Sequence, residues 1–206
     1  MRRTIDIVVA AIALALLSPL LLITALAVVI DSPGSPFYLG WRAGRGGQRF
    51  RMWKFRTMMS GVGRGAPITG RNDARITRLG RLLRKTKLDE LPQFVNVLKG
   101  EMTLVGPRPE ALEIVERYTP EQRAVLAVKP GVTGRVQIEE GEESEAIPEG
   151  VDPGQFYLDH LMDLKLRRDL DYLRVRTPLS DARIVFDTAA LVLRAFVGKP
   201  TVRAAR

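Results

Sequence analysis

The chain contains no cysteine and only one histidine, His160, in 206 residues. Without thiols there are no disulfides and no thiolate metal sites. One imidazole excludes any centre that needs two, and His160 reads as a surface or packing residue. Aromatic residues are sparse, at 6%. Acids are almost missing from Arg42 to Lys87, where 14 Lys and Arg stand against Asp73 alone, and bases are missing from Glu139 to Asp152, which holds seven acids. Whatever chemistry the chain performs falls to carboxylates, basic side chains and backbone amides.

Against these absences stands one long apolar run. Ile7 to Ile30 is 24 residues, broken only by Ser18, Pro19 and Thr24. At ~1.5 Å per residue it is long enough as a helix to cross a bilayer core, and it exceeds the ~7–15 apolar residues of a cleaved signal peptide. The remainder has ordinary soluble composition and the length of one domain. A straight span with a proline kink is one reading. The other is a re-entrant helix–break–helix, with the break at Ser18-Pro19. Pro19 removes an N–H at the midpoint of the run, and the Ser18 hydroxyl can serve a carbonyl so released. Both flanks are basic, with Arg2 and Arg3 before and Arg42, Arg45, Arg49 and Arg51 after, which draws both ends to the cytoplasm. The re-entrant reading is favoured. We therefore expect residues 1–30 to form a re-entrant membrane helix and 31–206 a cytoplasm-facing catalytic domain.

The net charge of +9 is compatible with nucleic-acid binding. Its concentration just after a membrane-grade run instead favours anionic headgroups or phosphate substrates, and no nucleic-acid partner is expected. Two aromatic runs, Phe37–Trp41 and Phe50–Phe55, flank glycines at 44, 46 and 47, so a small β-hairpin is predicted. Ser60 to Arg71 reads as a glycine-rich mobile loop. Asn72 or Asp73 is expected to cap a helix carrying Ile76, Leu79, Leu82 and Leu83 on one face. That helix suits either the headgroup plane or a solvated face over protein. Pro92 and Gly100 bracket another helix, with Asp89 and Glu90 at its N-terminus. Gly106–Pro109 is a stiff loop projecting Arg108, followed by a helix from about 110 to 118. The acidic stretch 139–152 reads as a surface insertion. Helices are expected at 157–174 and 181–197. The fold class is α+β, mainly helical, with interfacial amphipathic helices around a cytoplasmic site.

An acidic pair at a helix start is commonly no more than a cap. Here Arg84, Lys85 and Lys87 precede it, Arg108 stands on a rigid loop, and Lys54 and Arg56 end the aromatic strand. An ionised carboxylate ringed by cations suits attack on a phosphoryl group, and a carboxylate pair offers hard oxygens to Mg²⁺. A non-enzymatic basic membrane scaffold would explain the charge but gives no reason for Asp89 and Glu90 among the cations.

In order along the chain stand Ser18-Pro19, Lys54-Phe-Arg-Thr-Met58, Leu88-Asp-Glu-Leu-Pro-Gln93, Asn96-Val-Leu-Lys-Gly100, Val105-Gly-Pro-Arg-Pro109 and Lys129-Pro-Gly-Val-Thr-Gly134. This set resembles the bacterial sugar transferases, the monotopic polyprenyl-phosphate phosphoglycosyl transferases, in the length of their minimal catalytic form. The resemblance implies transfer of a sugar-1-phosphate from a nucleotide diphosphosugar, usually a UDP-sugar, to polyprenyl phosphate, with release of UMP. It implies Asp89 as nucleophile forming an aspartyl-phosphosugar, Glu90 as its partner and Mg²⁺ at this pair. Arg84 and Arg108 would hold the donor, with Lys54 and Arg56 at the pocket rim. Gln137 fits the family's substrate-binding pattern. The implied setting is the cytoplasmic face of the bacterial inner membrane, with the bilayer itself a partner, hand-over to downstream glycosyltransferases, and room for a homodimer. The chain departs from the family after Gly134, where Arg135-Val136-Gln137 leads into the acidic stretch, so the sugar is left open. Asp169 and Asp181 read as structural.

Overall fold

The computed structural model describes residues 2–59, 68–70, 73–140 and 146–196. The expected loop at 60–71 thus lies largely outside the described residues, as do Asn72 and the centre of the acidic stretch.

The apolar run forms one helix, α1 (Arg2–Asp31), with Pro19 inside it. An 18-residue window of α1 has mean hydropathy 2.7, long and apolar enough to cross a membrane. Pro19 leaves the Ala15 carbonyl without its usual N–H donor, and the Ser18 hydroxyl donates to that carbonyl at 2.8 Å. Helical backbone therefore continues through the proline. Asp6, Ala10, Thr24 and Val28 are buried, whereas Leu16, Leu22, Ile23, Leu26 and Ile30 are largely exposed. One stripe of α1 thus meets protein and the rest is left for another apolar medium.

Strands β1 (Phe37–Ala43) and β2 (Arg49–Phe55) pair antiparallel, Phe37 opposite Phe55 and Ala43 opposite Arg49. This is the predicted hairpin. Its turn uses Gly46 and Gly47 at φ 67° and 76°, a region that side chains with a Cβ seldom enter. Phe37 stacks on Phe55 and meets Trp53 edge-on, both at 5.4 Å. A second, parallel pair joins β3 (Thr103–Val105) to β4 (Gly131–Thr133).

Helix α2 (Arg78–Thr86) is capped by Thr77, whose hydroxyl accepts from the Gly80 N–H at 2.9 Å. The expected Asp73 cap is corrected. Asp73 is occupied by Arg75, which donates to both of its oxygens, so the next suitable oxygen takes the helix start. Leu79 and Leu83 pack with Val28 and Phe55 under α1, so this part of the apolar face lies over protein, while Leu82 is exposed. Helix α3 runs Gln93–Lys99 and stops at Gly100. The helix expected over 110–118 shrinks to α4 (Leu112–Val115). After α5 (Arg135–Glu140), a stretch opens with α6 (Pro153–Phe156), passes through a π-helical turn (Tyr157–Leu161) and continues as α7 (Met162–Val175). Helix α8 (Pro178–Phe196) closes the described chain. The largest core cluster gathers Ile114, Tyr118, Val125, Tyr157, Met162 and Leu166.

Both ends of α1 are tied to this body. At the N-terminal end Arg3 donates to the Val97 and Leu98 carbonyls, where α3 ends, at 2.5 and 2.9 Å. Asp6 accepts from the Thr103 hydroxyl at 2.8 Å and the Leu104 N–H at 3.2 Å. At the C-terminal end the Arg56 guanidinium donates to the carbonyls of Val28, Ser32 and Pro33. Asn96 joins the two regions, accepting from the Trp53 N–H at 2.9 Å and donating to the Arg51 carbonyl at 2.7 Å.

Candidate active site

Helix α2 ends because Lys87 turns left-handed, at φ 59°. It is the one non-glycine residue at positive φ among those described, a conformation that costs about 1–2 kcal/mol. The chain then makes a single 3₁₀ turn, Leu88–Glu90, and Pro92 sits at the cap of α3. Asp89 and Glu90 are therefore not in the first turn of the helix, as expected, but on a separate turn ahead of it. They are aimed by this bend rather than by a helix dipole.

Two elements converge on Glu90. Its Oε1 accepts from Lys54 Nζ, on β2, at 2.7 Å and from Arg108 Nη2, on the β3–α4 loop, at 2.9 Å. Burial alone would raise the Glu90 carboxyl, but the charges of Arg108, Lys54 and Lys87 outweigh it and hold the group well below the usual carboxylate range. Glu90 is thus a fixed anion that gathers cations beside Asp89, itself buried.

Arg108 is aimed by a rigid crossing. The Gly106 N–H donates to the Thr133 carbonyl and the Gly131 N–H to the Pro107 carbonyl, both at 2.9 Å. The two segments touch so closely that a Cβ on Gly131 would fall 2.1 Å from the Gly106 nitrogen. Glycine is required here by contact, not by turn geometry. On the far side of the loop, Glu110 accepts from the hydroxyl of Tyr157. Lys165 lies 3.7 Å from the same carboxylate and 5.0 Å from the Tyr157 ring centroid. All of this braces the stem of Arg108.

The structure thus brings together Lys54, Asp89, Glu90 and Arg108. Arg84 is turned to Thr57, donating from Nε to its hydroxyl at 2.9 Å. Arg56, expected at the rim, closes the end of α1 instead. Gln137 lies under the glycine crossing, its amide oxygen buried without a partner among the described residues and 3.2 Å from where a Gly134 Cβ would stand.

Gln93 closes one of the sequence motifs but was given no role there. Within α3, Gln93, Asn96 and Val97 fall at i, i+3 and i+4 on one face, just after the 3₁₀ turn that carries Asp89. All four are buried, Gln93 to 1% exposure. Its Nε2 has no hydrogen-bond partner among the described residues, and a buried unpaired donor costs about 1–3 kcal/mol. The available signal was two carboxamides on the core face of a short helix.

Among the described residues no three acids or histidines cluster as a self-sufficient metal cage. Asp89 and Glu90 offer two adjacent hard carboxylates, which suits a Mg²⁺ that takes its other ligands from water and substrate phosphates.

The chain is similar to several known proteins. A UDP-N-acetylgalactosamine-undecaprenyl-phosphate N-acetylgalactosaminephosphotransferase of Aeromonas hydrophila is 37% identical over 199 residues, 95% of this chain and 44% of that protein. A UDP-glucose:undecaprenyl-phosphate glucose-1-phosphate transferase of Caulobacter vibrioides is 38% identical over 196 residues, 93% of this chain and 69% of its own length. A protein of the same name from Escherichia coli is 37% identical over 203 residues, 97% of this chain and 41% of its own. The chain therefore spans less than half the length of two of these relatives. The description of the bacterial sugar transferases matches residues 1–195, from the first turn of α1 to the last of α8, and the chain belongs to that family.

Proposed function

We propose that the chain transfers a sugar-1-phosphate from a UDP-sugar to undecaprenyl or a related polyprenyl phosphate, through a covalent intermediate on Asp89. The observation that carries this reading is the shared oxygen of Glu90, which holds Lys54 and Arg108 together beside a buried aspartate. A carboxylate so placed meets a phosphate whose negative charge has already been offset. An Asp89 oxygen attacks the phosphorus that bears the sugar, the bridging P–O bond breaks, and its electron pair leaves with UMP. An oxygen of the lipid phosphate then attacks the same phosphorus and releases Asp89, so the step returns the protein unchanged. Lys54 and Arg108 bind and orient the phosphates while Glu90 fixes both cations. Mg²⁺, held by Asp89 and Glu90, would supply further charge neutralisation on the diphosphate.

The names of the relatives support the donor and acceptor classes. The reading is tested with donor and Mg²⁺ but no lipid. One UMP per protein is expected, and none from Asp89→Asn. UMP that appears only when acceptor is present would replace the covalent path with direct attack by the lipid phosphate.

We further infer that α1 is re-entrant, at the cytoplasmic face of the inner membrane. Two ties to one body, at Arg3–Asp6 and at Arg56, support this, as do the basic flanks and the Ser18–Pro19 step. A helix standing straight across the bilayer would carry one end away from that body. Cysteines placed at position 2 and at position 40 should both react with an impermeant reagent from the cytoplasmic side, and labelling from opposite sides would overturn the inference.

A further inference from the structure

We propose that Gln93 is a substrate-contacting residue, whose carboxamide N–H donates to a phosphoryl oxygen of the group carried on Asp89. The proposal rests on the reading of Asp89 as the atom that accepts the phosphosugar.

Gln93 follows Asp89 by four residues and lies on the buried face of α3, just after the 3₁₀ turn that carries Asp89. Its neighbour on that face provides a control within the molecule. Asn96, also a buried carboxamide, is used fully, by the Trp53 N–H, the Arg51 carbonyl and, at 2.6 Å, the Glu101 carboxylate. Gln93 Nε2 is buried and has no partner among the described residues. A methionine would fill the same volume without leaving a buried donor unmatched, so folding gives no reason for the amide.

The chemistry of the donor narrows its ligand. An N–H₂ group needs an acceptor, and phosphoryl oxygens are acceptors that gain charge during transfer. Lys54 and Arg108 approach the site from the side of Glu90. A neutral donor contacts the transferred phosphoryl group without adding charge to the site. Attack forms the P–O bond to Asp89 and breaks the bond to UMP, and no proton leaves Gln93 in either half of the reaction.

The test uses the full chain in lipid nanodiscs, comparing wild type, Gln93→Met, Gln93→Glu and Asp89→Asn. Thermal unfolding and the burst of UMP from donor alone are both measured. Removal of an unmatched donor should raise the melting temperature of Gln93→Met by roughly 2–4 °C. The same variant should slow the burst about 100-fold, with the loss in kcat rather than in donor KM. Gln93→Glu, which substitutes an acceptor, should be at least as slow. A Gln93→Met burst within twofold of wild type overturns the proposal. So does a lowered melting temperature, which would mean that the amide serves packing or a buried water. Should Asp89→Asn keep its burst, the covalent reading falls and Gln93 loses its assignment with it. A burst lost in Asp89→Asn but kept in Gln93→Met removes the Gln93 assignment alone.

Discussion

At the scale of single residues, Glu90 decides more than its neighbours. Its Oε1 joins a strand, a loop and the turn that carries Asp89. Glu90→Gln would remove the carboxylate that Lys54 and Arg108 share, and we expect a loss of about 3 kcal/mol in denaturant unfolding, as for a buried ion pair stripped of one partner. The pH dependence has a definite sign. A carboxyl held low in the folded state contributes stability that is fully present above its ordinary value of 4.5, and that is lost as pH falls below this toward the lowered folded value. Wild-type protein should therefore weaken on that acid limb, and Glu90→Gln should lose the share that belongs to this group. The acidic pair and the basic residues around it were legible in the sequence, because cations and carboxylates at short spacing imply phosphate chemistry. Their division was not. Nothing in the order of residues distinguishes Arg108, which meets Glu90, from Arg56, which meets the end of α1, since that choice depends on how β2 and α1 pack.

At the scale of elements, the hairpin was readable because aromatic runs and glycines leave few alternatives. The start of α2 was not, because the Asp73–Arg75 pair removes the residue that ordinarily caps best. Thr77→Ala should accordingly cost about 1 kcal/mol of stability, while Asp73→Ala should leave the helix start intact; both are checked by thermal unfolding. The left-handed Lys87 offers a sharper contrast. Lys87→Gly relieves an unfavourable backbone and should stabilise the fold by about 1 kcal/mol. It also removes one of three charges that hold Glu90 ionised, and transferase activity should fall. A variant both more stable and fully active would show that the bend, and not its charge, is what the site needs. The role of Gln93 was hidden at this scale, since α3 runs only Gln93–Lys99 and is too short for its buried face to stand out in the sequence.

For the whole molecule, the apolar run is less an appendage than a member of the fold. Composition alone revealed a run long and apolar enough to cross a membrane, and the basic flanks suggested that both ends share a side. The ties themselves involve residues more than 90 positions apart, Asp6 with Thr103 and Leu104, which no local pattern announces. Asp6→Ala would leave the Leu104 N–H and the Thr103 hydroxyl without their acceptor, at about 1–3 kcal/mol. Melting in nanodiscs should reveal the loss, whereas the membrane fraction should retain the variant, because Ile7 to Ile30 is untouched.

The double tie on α1 has one more consequence. On the re-entrant reading, the helix adds its cross-section to the leaflet nearest the catalytic body and nothing to the opposite one. That leaflet becomes more crowded than its partner, and the mismatch in area is relieved where the bilayer bulges toward the cytoplasm. A preference for convex patches would then follow from the spacing between Arg3 and Arg56, without any segment devoted to sensing curvature.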